Sequence, residues 1–188
     1  MAIPPTFEPI GQVLTPDEYD ALPEHSRREL VDGVVHLMAT PTPWHQHIAD
    51  GLTLALRRSA PPRFRVTRQI EVRVDDLTRR NPDVLVVRSA GFDLRVPRLR
   101  PDQVVLAVEV VDRGSETADR IAKPEQYARA GIPHYWRIET ETDVGVYTYR
   151  LVDGPEYAHM GTFAKGDTTM APGLEWAAVS VSDLSKED

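Results

Sequence analysis

The chain of 188 residues contains no cysteine, and hydrophobic and charged residues make up 41% and 27% of it. This composition is typical of a globular domain, and it excludes disulfide bonds and thiolate metal sites. The net charge of −7 argues against a surface that binds nucleic acid everywhere, but it is compatible with a local basic groove. Neither a membrane span nor a signal peptide is apparent, so we expect a cytoplasmic protein.

The predicted organisation is a flexible N-terminus over residues 1–12 and a single domain over residues 13–184. Thr15 and Glu18 form a capping box, which predicts a helix that begins beside them. The next predicted elements are a hairpin over residues 28–39 that turns at Asp32-Gly33 and a helix from Pro43 to about Arg58.

Strand and helix patterns alternate through the rest of the chain. We predict a half-buried strand over 64–76, buried strands over 81–87 and 103–111, a loop between them, a helix over 115–131, a hairpin of strands over 134–140 and 144–152, and short β segments after it. Pro124 is expected to divide the predicted helix, because a proline inside a helix lacks the N–H donor. The pattern predicts an α/β fold with a mixed central β-sheet flanked by α-helices.

Two of the buried strands each carry one acidic residue. Glu109 lies in QVVLAVEVV, and Asp83 lies at the start of the strand in NPDVLVV. A lone carboxylate in an apolar environment is costly, so each group must become neutral, pair with a cation or bind a metal. Because alternate residues of a strand share a face, we expect Val105 and Ala107 on the same face as Glu109.

A lysine is expected to lie close to these acids. Asp119 and Lys123 are four residues apart on the predicted helix and therefore neighbours. The helix begins a few residues after Glu109, so Lys123 can reach back over the end of the strand. If Asp83 also lies there, the acids and the lysine converge, and carboxylate oxygens of this kind favour Mg²⁺ or Mn²⁺.

The chain resembles a known family from about Tyr19 to Trp136. The motifs are Pro82-Asp83, ELVDGVVHLMATPTPWHQ (29–46) and VEVVDRGSETADRIAKPEQYARAGIPHYW (108–136). They are similar to the Uma-type family of putative restriction endonucleases, in the PD-(D/E)XK nuclease superfamily. The superfamily's usual lysine position, two residues after the second acid, holds Val111 here. The loop over residues 112–115 reads DRGS, where the family usually has Ser-Pro-Ser-Thr.

The resemblance implies a restriction-endonuclease-like fold and metal-dependent hydrolysis of phosphodiester bonds. It implies that Asp83 and Glu109 bind Mg²⁺ or Mn²⁺ and that Lys123 positions the attacking water. Glu29 matches an acid of the family's early segment and is predicted to be a further member of the catalytic set.

Two residues are predicted to support this set, and three arginines to contact nucleic acid. Asp119 is expected to orient Lys123, and His45 matches a family position where it could touch phosphate, cap the helix or pack. Arg65, Arg68 and Arg80 belong to a basic stretch whose guanidinium groups could position a duplex through its phosphates.

Other interpretations of these residues stay open. Glu109 could pair with an arginine at the strand end, Asp83 could cap a turn, and Lys123 could form an exposed helix pair. The primary hypothesis is a Mg²⁺-dependent DNA endonuclease, and the alternative is a catalytically inactive nucleic-acid- or protein-binding module on the same fold. A homodimer is a further hypothesis, because cleavage of both strands of a duplex needs two sites.

Overall fold

The computed structural model describes residues 10–23 and 27–186. The helices are α1 (Pro16–Asp20), α2 (Pro43–Ser59), α3 (Lys123–Arg129) and α4 (Val181–Leu184), with a 3₁₀ turn at Pro101–Gln103 and a π-helical turn at Ala118–Ala122. The strands are β1 (Arg28–Val31), β2 (Val34–Leu37), β3 (Phe64–Thr67), β4 (Glu71–Arg73), β5 (Arg79–Arg80), β6 (Val84–Arg88), β7 (Arg98–Leu99), β8 (Val104–Val110), β9 (His134–Glu139), β10 (Gly145–Leu151) and β11 (Tyr157–Phe163).

These strands form two mixed sheets. The larger sheet has the order β11-β10-β9-β8-β6-β3, and the smaller one has the order β2-β1-β5-β4-β7. In the larger sheet β8 pairs antiparallel with β6 and parallel with β9. The predicted mixed α/β fold is confirmed, although the strands divide between two sheets rather than one central sheet.

The larger sheet is covered on both faces. The apolar side of α2, with Ile48, Leu52 and Leu56, packs on one face against residues such as Val86 and Leu106. Each such fully buried side chain contributes about 1.5–3 kcal/mol relative to exposure. The opposite face carries Ala107 of β8, and Tyr127 of α3 packs in the same cluster. Helix α3 therefore lies over the face of β8 from which Glu109 projects.

The predicted helix ends and turns agree with the structure at several points. Thr15 and Glu18 form the predicted capping box, and α2 begins at Pro43 with Thr42 as its N-cap. The hairpin of β1 and β2 turns at Asp32 and Gly33, both with positive φ, as a tight two-residue turn requires.

The strand predicted over residues 64–76 is wrong as one element. It is divided into β3 and β4, which belong to different sheets. The chain turns between them at Gln69, which adopts a φ of 49°. An alternating pattern of apolar residues continues through this point, so the sequence does not reveal the break.

The predicted face of β8 also needs a correction. The pairing of β8 with β6 shifts register between Val86 and Val87, so Val86 pairs with Leu106 and Val87 with Val104. The shift is a β-bulge, which interrupts the alternation. Val105 therefore packs in the α2 cluster, whereas Ala107 packs on the α3 side.

Pro124 does not break the predicted helix at 115–131. The π-helical turn runs directly into α3, with Ala122 and Lys123 both in the αR conformation, and Pro124 follows the point where the hydrogen-bond pattern changes from π to α. The flexible N-terminus predicted over residues 1–12 falls mostly on residues 1–9, which lie outside the described ranges. Gly11 and Gln12 form backbone hydrogen bonds with Val35.

Candidate active site

Two carboxylates form the floor of the site, one directly before β6 and the other near the end of the adjacent strand β8. Val84 of β6 pairs with Val108 of β8 in antiparallel register, so Asp83 comes beside the end of β8 that carries Glu109. Oδ2 of Asp83 accepts a hydrogen bond of 2.8 Å from the backbone N–H of Val110. The strand direction, which the sequence does not reveal, thus brings the two acids together.

Helix α3 contacts both oxygens of Glu109. Nζ of Lys123 donates to Oε2 at 2.8 Å, and the hydroxyl of Tyr127 donates to Oε1 at 2.6 Å. Nζ of Lys123 also lies 2.7 Å from Oδ1 of Asp119. Asp119, Lys123 and Tyr127 are spaced four residues apart, so one face of this helical segment presents all three groups to the strand.

A second ion pair lies on the wall of the site. Arg80 donates to Oε2 of Glu29 at 2.7 Å and to the side chain of Gln126 at 2.9 Å. The backbone N–H of Asn81 donates to Oε1 of Glu29 at 2.9 Å. Both side chains of the pair are almost fully buried. Arg80 therefore neutralises Glu29 and fixes its orientation.

His45 connects α2 to the floor of the site. The N-cap Thr42 accepts a hydrogen bond from the backbone N–H of His45, and Nε2 of His45 lies 3.1 Å from Oδ2 of Asp83. Burial lowers the pKa of His45, but the hydrogen bond and charge of Asp83, with Asp112 and Asp119 behind it, raise the pKa above its ordinary value. His45 is thus biased toward the cationic form next to Asp83.

The buried acids outnumber the cations around them. Burial raises the pKa of Glu109 well above its ordinary value despite the ammonium of Lys123, and the charges of Asp119 and Asp83 raise it further. Burial also raises the pKa of Asp119. For Lys123, burial alone would lower the pKa, but the carboxylates of Glu109, Glu29, Asp119 and Asp83 together raise it well above its ordinary value. The excess of buried acids over cations therefore favours the protonated forms of Glu109 and Asp119 relative to isolated carboxyl groups.

These groups line a cavity of about 360 Å³. Glu29, His45, Asp83, Glu109, Asp119 and Lys123 all contribute to its surface. Residues 36–41 and residues 112–115 also line the cavity. The side chain of Asp83 is 15% exposed, whereas that of Glu109 is 2% exposed, so Asp83 is the more accessible carboxylate of the floor.

The carboxylates of the cavity suit a cation such as Mg²⁺, which takes few of its ligands from protein, better than a cation that needs a full set of protein ligands. Within residues 10–23 and 27–186, no group of three or more His, Asp or Glu side chains is spaced to chelate a metal. Mg²⁺ needs only one or two protein carboxylates, because water and substrate phosphate complete its coordination. No described residue donates a hydrogen bond to Oδ1 of Asp83, and buried Oδ1 of Asp119 lacks an aligned hydrogen bond despite its ion pair. Oδ1 of Asp83 is therefore the one of these two oxygens that has neither a hydrogen-bond donor nor an ion-pair partner among the described residues.

The structure thus brings together six of the residues predicted for the site. Of the three predicted arginines, Arg80 lines the same cavity, whereas Arg65 and Arg68 do not. Arg65 is exposed on β3 and does not line the cavity. Arg68 bonds to Asp50 and Gln46. Arg80 is buried in an ion pair with Glu29 at the cavity wall, and its contact with nucleic acid stays a prediction.

Tyr127 is a site residue that the sequence prediction missed, because an aromatic residue in this helix is expected to pack in the hydrophobic core. It is fully buried and packs in the core, but its hydroxyl contacts Glu109. Its position four residues after Lys123 was the available signal.

The structure is a mixed α/β protein that carries an acidic cavity. The model of the Uma2 family, described as "Putative restriction endonuclease", matches residues 16–182, and the chain belongs to this family. The structure is similar to the crystal structure of a putative nuclease of DUF820 from Anabaena variabilis. The TM-score is 0.75 at 18% sequence identity, over 91% of this chain and 97% of the other, a likeness that concerns the fold. A comparison with curated proteins finds no match.

None of the helices in the described part of the chain has the length and apolar character needed to cross a bilayer.

Proposed function

We propose that the chain is a Mg²⁺- or Mn²⁺-dependent DNA endonuclease that hydrolyses phosphodiester bonds in this cavity. The observation that supports it most is the contact of Lys123 with Glu109 next to Asp83, at the bottom of one cavity. Family membership supports nuclease chemistry in general. DNA as the substrate, the divalent ion and the role of each residue are our proposals.

Asp83 and Glu109 would bind the ion. When bound, such an ion lowers the pKa of water and offsets the negative charge of the phosphate. A carboxylate has about four lone-pair sites, so Glu109 can accept from Lys123 and Tyr127 and still offer a lone pair to the cavity. His45 keeps Asp83 in place through its contact with Oδ2.

Lys123 would act on the attacking water and on the phosphate. Its ammonium is buried at the floor of the cavity, where its charge is poorly screened. There it can orient the water for in-line attack at phosphorus and stabilise the charge that develops on the phosphate oxygens. Asp119 positions the amine through its ion pair at 2.7 Å. Glu29, fixed by Arg80, adds a further carboxylate to the catalytic set.

Cleavage of supercoiled plasmid DNA tests the proposal. The wild-type protein with Mg²⁺ or Mn²⁺ should nick or linearise the plasmid, and EDTA should abolish this. Asp83→Asn and Glu109→Gln should each reduce the rate at least about a hundredfold, as removal of a main electrostatic group does in other enzymes. Asp102→Asn is the matched control, since Asp102 is an exposed acid outside the cavity. Cleavage that survives EDTA and both site variants would refute the proposal.

A second candidate is an inactive binding module on the same fold. It is favoured by one observation: both oxygens of Glu109 already have hydrogen-bond donors, from Lys123 and Tyr127. Calorimetric titration with Mn²⁺ separates the two candidates. Absence of binding at millimolar Mn²⁺ would support the inactive module, whereas binding that is lost in Asp83→Asn supports the nuclease.

A further inference from the structure

We propose that a second cavity next to the active site binds the nucleotide that flanks the scissile phosphate. Trp44 would stack on its base, and Arg113 would contact the phosphate between the two cavities. The substrate would then be a strand with an unpaired nucleotide at the cleavage point. This inference rests on the proposed function and specifies its substrate class.

The two cavities are neighbours with a shared wall. The second has a volume of about 380 Å³, and both are lined by Asp112 and Arg113. Trp44 lines the second cavity but not the first. A strand whose phosphate lies at the floor of the first cavity can therefore continue past Arg113 toward Trp44.

Arg113 is available for a phosphate. Its side chain is exposed, and no carboxylate of residues 10–23 and 27–186 forms an ion pair with its guanidinium. The other arginine of the second cavity, Arg120, is bound to Glu139 through two hydrogen bonds of 3.0 and 2.8 Å. A guanidinium forms paired hydrogen bonds with phosphate oxygens, so the free arginine is the one suited to this contact.

Trp44 provides an aromatic surface in the first turn of α2. It is partly buried, and its ring stacks on that of His47 with centroids 5.4 Å apart and an interplanar angle of 9°. This neighbour and the packing of Trp44 against the core limit its motion. A fixed aromatic ring stacks on any base, because every base has a π-face.

Hydrogen bonds fix the two walls relative to each other. The backbone N–H of Thr42, the N-cap of α2, donates to Oδ2 of Asp112 at 3.0 Å. Oδ1 of Asp112 accepts from the backbone N–H of Arg113 at 2.8 Å. Asp112 thus connects the helix that carries Trp44 to the loop that carries Arg113.

Not all the acidic side chains of the second cavity repel the phosphate of a nucleotide. Glu139 is neutralised by Arg120 and by Arg137, which lies 2.8 Å from it. Glu116 accepts a hydrogen bond from the backbone N–H of Gly114. Glu141 is exposed, so solvent screens its charge.

A base in a duplex cannot reach this position. It is paired on one edge and stacked on both faces, and moving it against Trp44 requires that these contacts break. A single strand or a frayed end meets a much smaller cost. The second cavity therefore favours an unpaired nucleotide.

Binding measured apart from cleavage tests this inference. The probe is a fluorescein-labelled oligonucleotide of about twelve nucleotides, single-stranded or annealed to its complement. Fluorescence anisotropy is recorded with the intact protein in Ca²⁺ and again in EDTA. Binding of the oligonucleotide is thus measured both with and without a divalent ion. We expect the single strand to bind at least about tenfold more tightly than the duplex. The duplex cannot stack a base on Trp44, and one such stacking contact accounts for a difference of about this size.

The variants separate the two contacts. Trp44→Ala should weaken single-strand binding about 5- to 100-fold, and Trp44→Phe should retain most of the affinity. Arg113→Ala should weaken binding and reduce the slope of log affinity against log salt by about one, whereas Arg95→Ala, another exposed arginine, should not. Thermal melts confirm that each variant is folded.

Equal or tighter binding of the duplex, no binding of the single strand, or wild-type affinity in Trp44→Ala and Arg113→Ala would each overturn the inference. If the single strand binds as expected but no substrate is cleaved, the proposed function fails and the nucleotide site stands. If duplex plasmid is cleaved and both variants bind the single strand with wild-type affinity, the nucleotide site fails and the proposed function stands.

Discussion

Nζ of Lys123 donates a 2.8 Å hydrogen bond to Oε2 of Glu109, and both side chains are only 2% exposed. A buried pair of this kind usually gives little net stability, because desolvation of the two charges offsets their attraction. The pair also lies in a cavity, beside Asp83 and beside Asp119, whose pKa is raised by burial. An arrangement that costs stability and opens to solvent is typical of a functional site.

Glu109→Gln should change how stability depends on pH. Because the pKa of Glu109 is raised, the folded protein keeps this proton to a higher pH than the unfolded chain does. The free energy of unfolding of the metal-free wild type should therefore fall as pH rises above the ordinary glutamate pKa. The variant lacks this group, so its Tm relative to wild type should increase by a few degrees between pH 5 and pH 8.

Thermal melts in EDTA at the two pH values measure this difference. A constant Tm difference between variant and wild type would show that Glu109 titrates as an ordinary glutamate.

Lys123→Met should separate catalysis from metal binding. The variant removes the ammonium but keeps a side chain of similar length, so the rate of plasmid cleavage should fall at least about a hundredfold. Mn²⁺ affinity should be unchanged or higher, because a competing positive charge has left the cavity. Calorimetry and cleavage are measured on the same preparation, with Lys165→Met as an exposed control. Weaker Mn²⁺ binding in Lys123→Met would mean that the lysine supports the carboxylates only by maintaining their geometry.

Tyr127→Phe should weaken the metal site without disturbing the core. The ring remains packed, but Oε1 of Glu109 loses its 2.6 Å hydrogen bond. Loss of a group that orients a ligand typically lowers metal affinity about 10- to 100-fold. Tyr135→Phe is the matched control, because its buried hydroxyl donates to the backbone carbonyl of Asp119 instead. Equal Mn²⁺ affinities for the two variants would contradict a positioning role for Tyr127.

Arg80→Ala should destabilise the fold. It leaves the buried carboxylate of Glu29 without its cation, which costs about 3–5 kcal/mol and lowers Tm by about 10 °C. Arg65→Ala, at an exposed position, should change stability by less than about 0.5 kcal/mol. Chemical denaturation of both variants gives the comparison. Similar stabilities for the two would indicate that Arg80 is free to contact a ligand.

Helical spacing and burial could be predicted from the sequence, whereas strand register could not. The four-residue spacing of Asp119 and Lys123 and the apolar setting of Glu109 pointed to their contact, which the structure contains. That Asp83 comes beside Glu109 depends on the antiparallel direction of β6 and β8. The bulge at Val105 could not be predicted from the sequence either, because the run of apolar residues continues through it.

The environment of individual side chains could not be predicted from residue type alone. Arg80 belongs to a basic stretch that reads as exposed, but β5 directs it toward Glu29. The chain turns after β3 at Gln69, which has a positive φ although glycine is the residue that usually signals such a turn. Both outcomes depend on tertiary contacts far along the chain, which local patterns do not contain.

The central claim is that Asp83 and Glu109 share a divalent ion, and a crystal structure of the protein soaked in Mn²⁺ tests it most directly. We predict an anomalous peak within coordination distance of both carboxylates, with Nζ of Lys123 still beside Glu109 and directed toward the ion's water. The absence of a peak at millimolar Mn²⁺, with Asp83 still bound to His45 and Glu109 to Lys123 and Tyr127, would contradict the account.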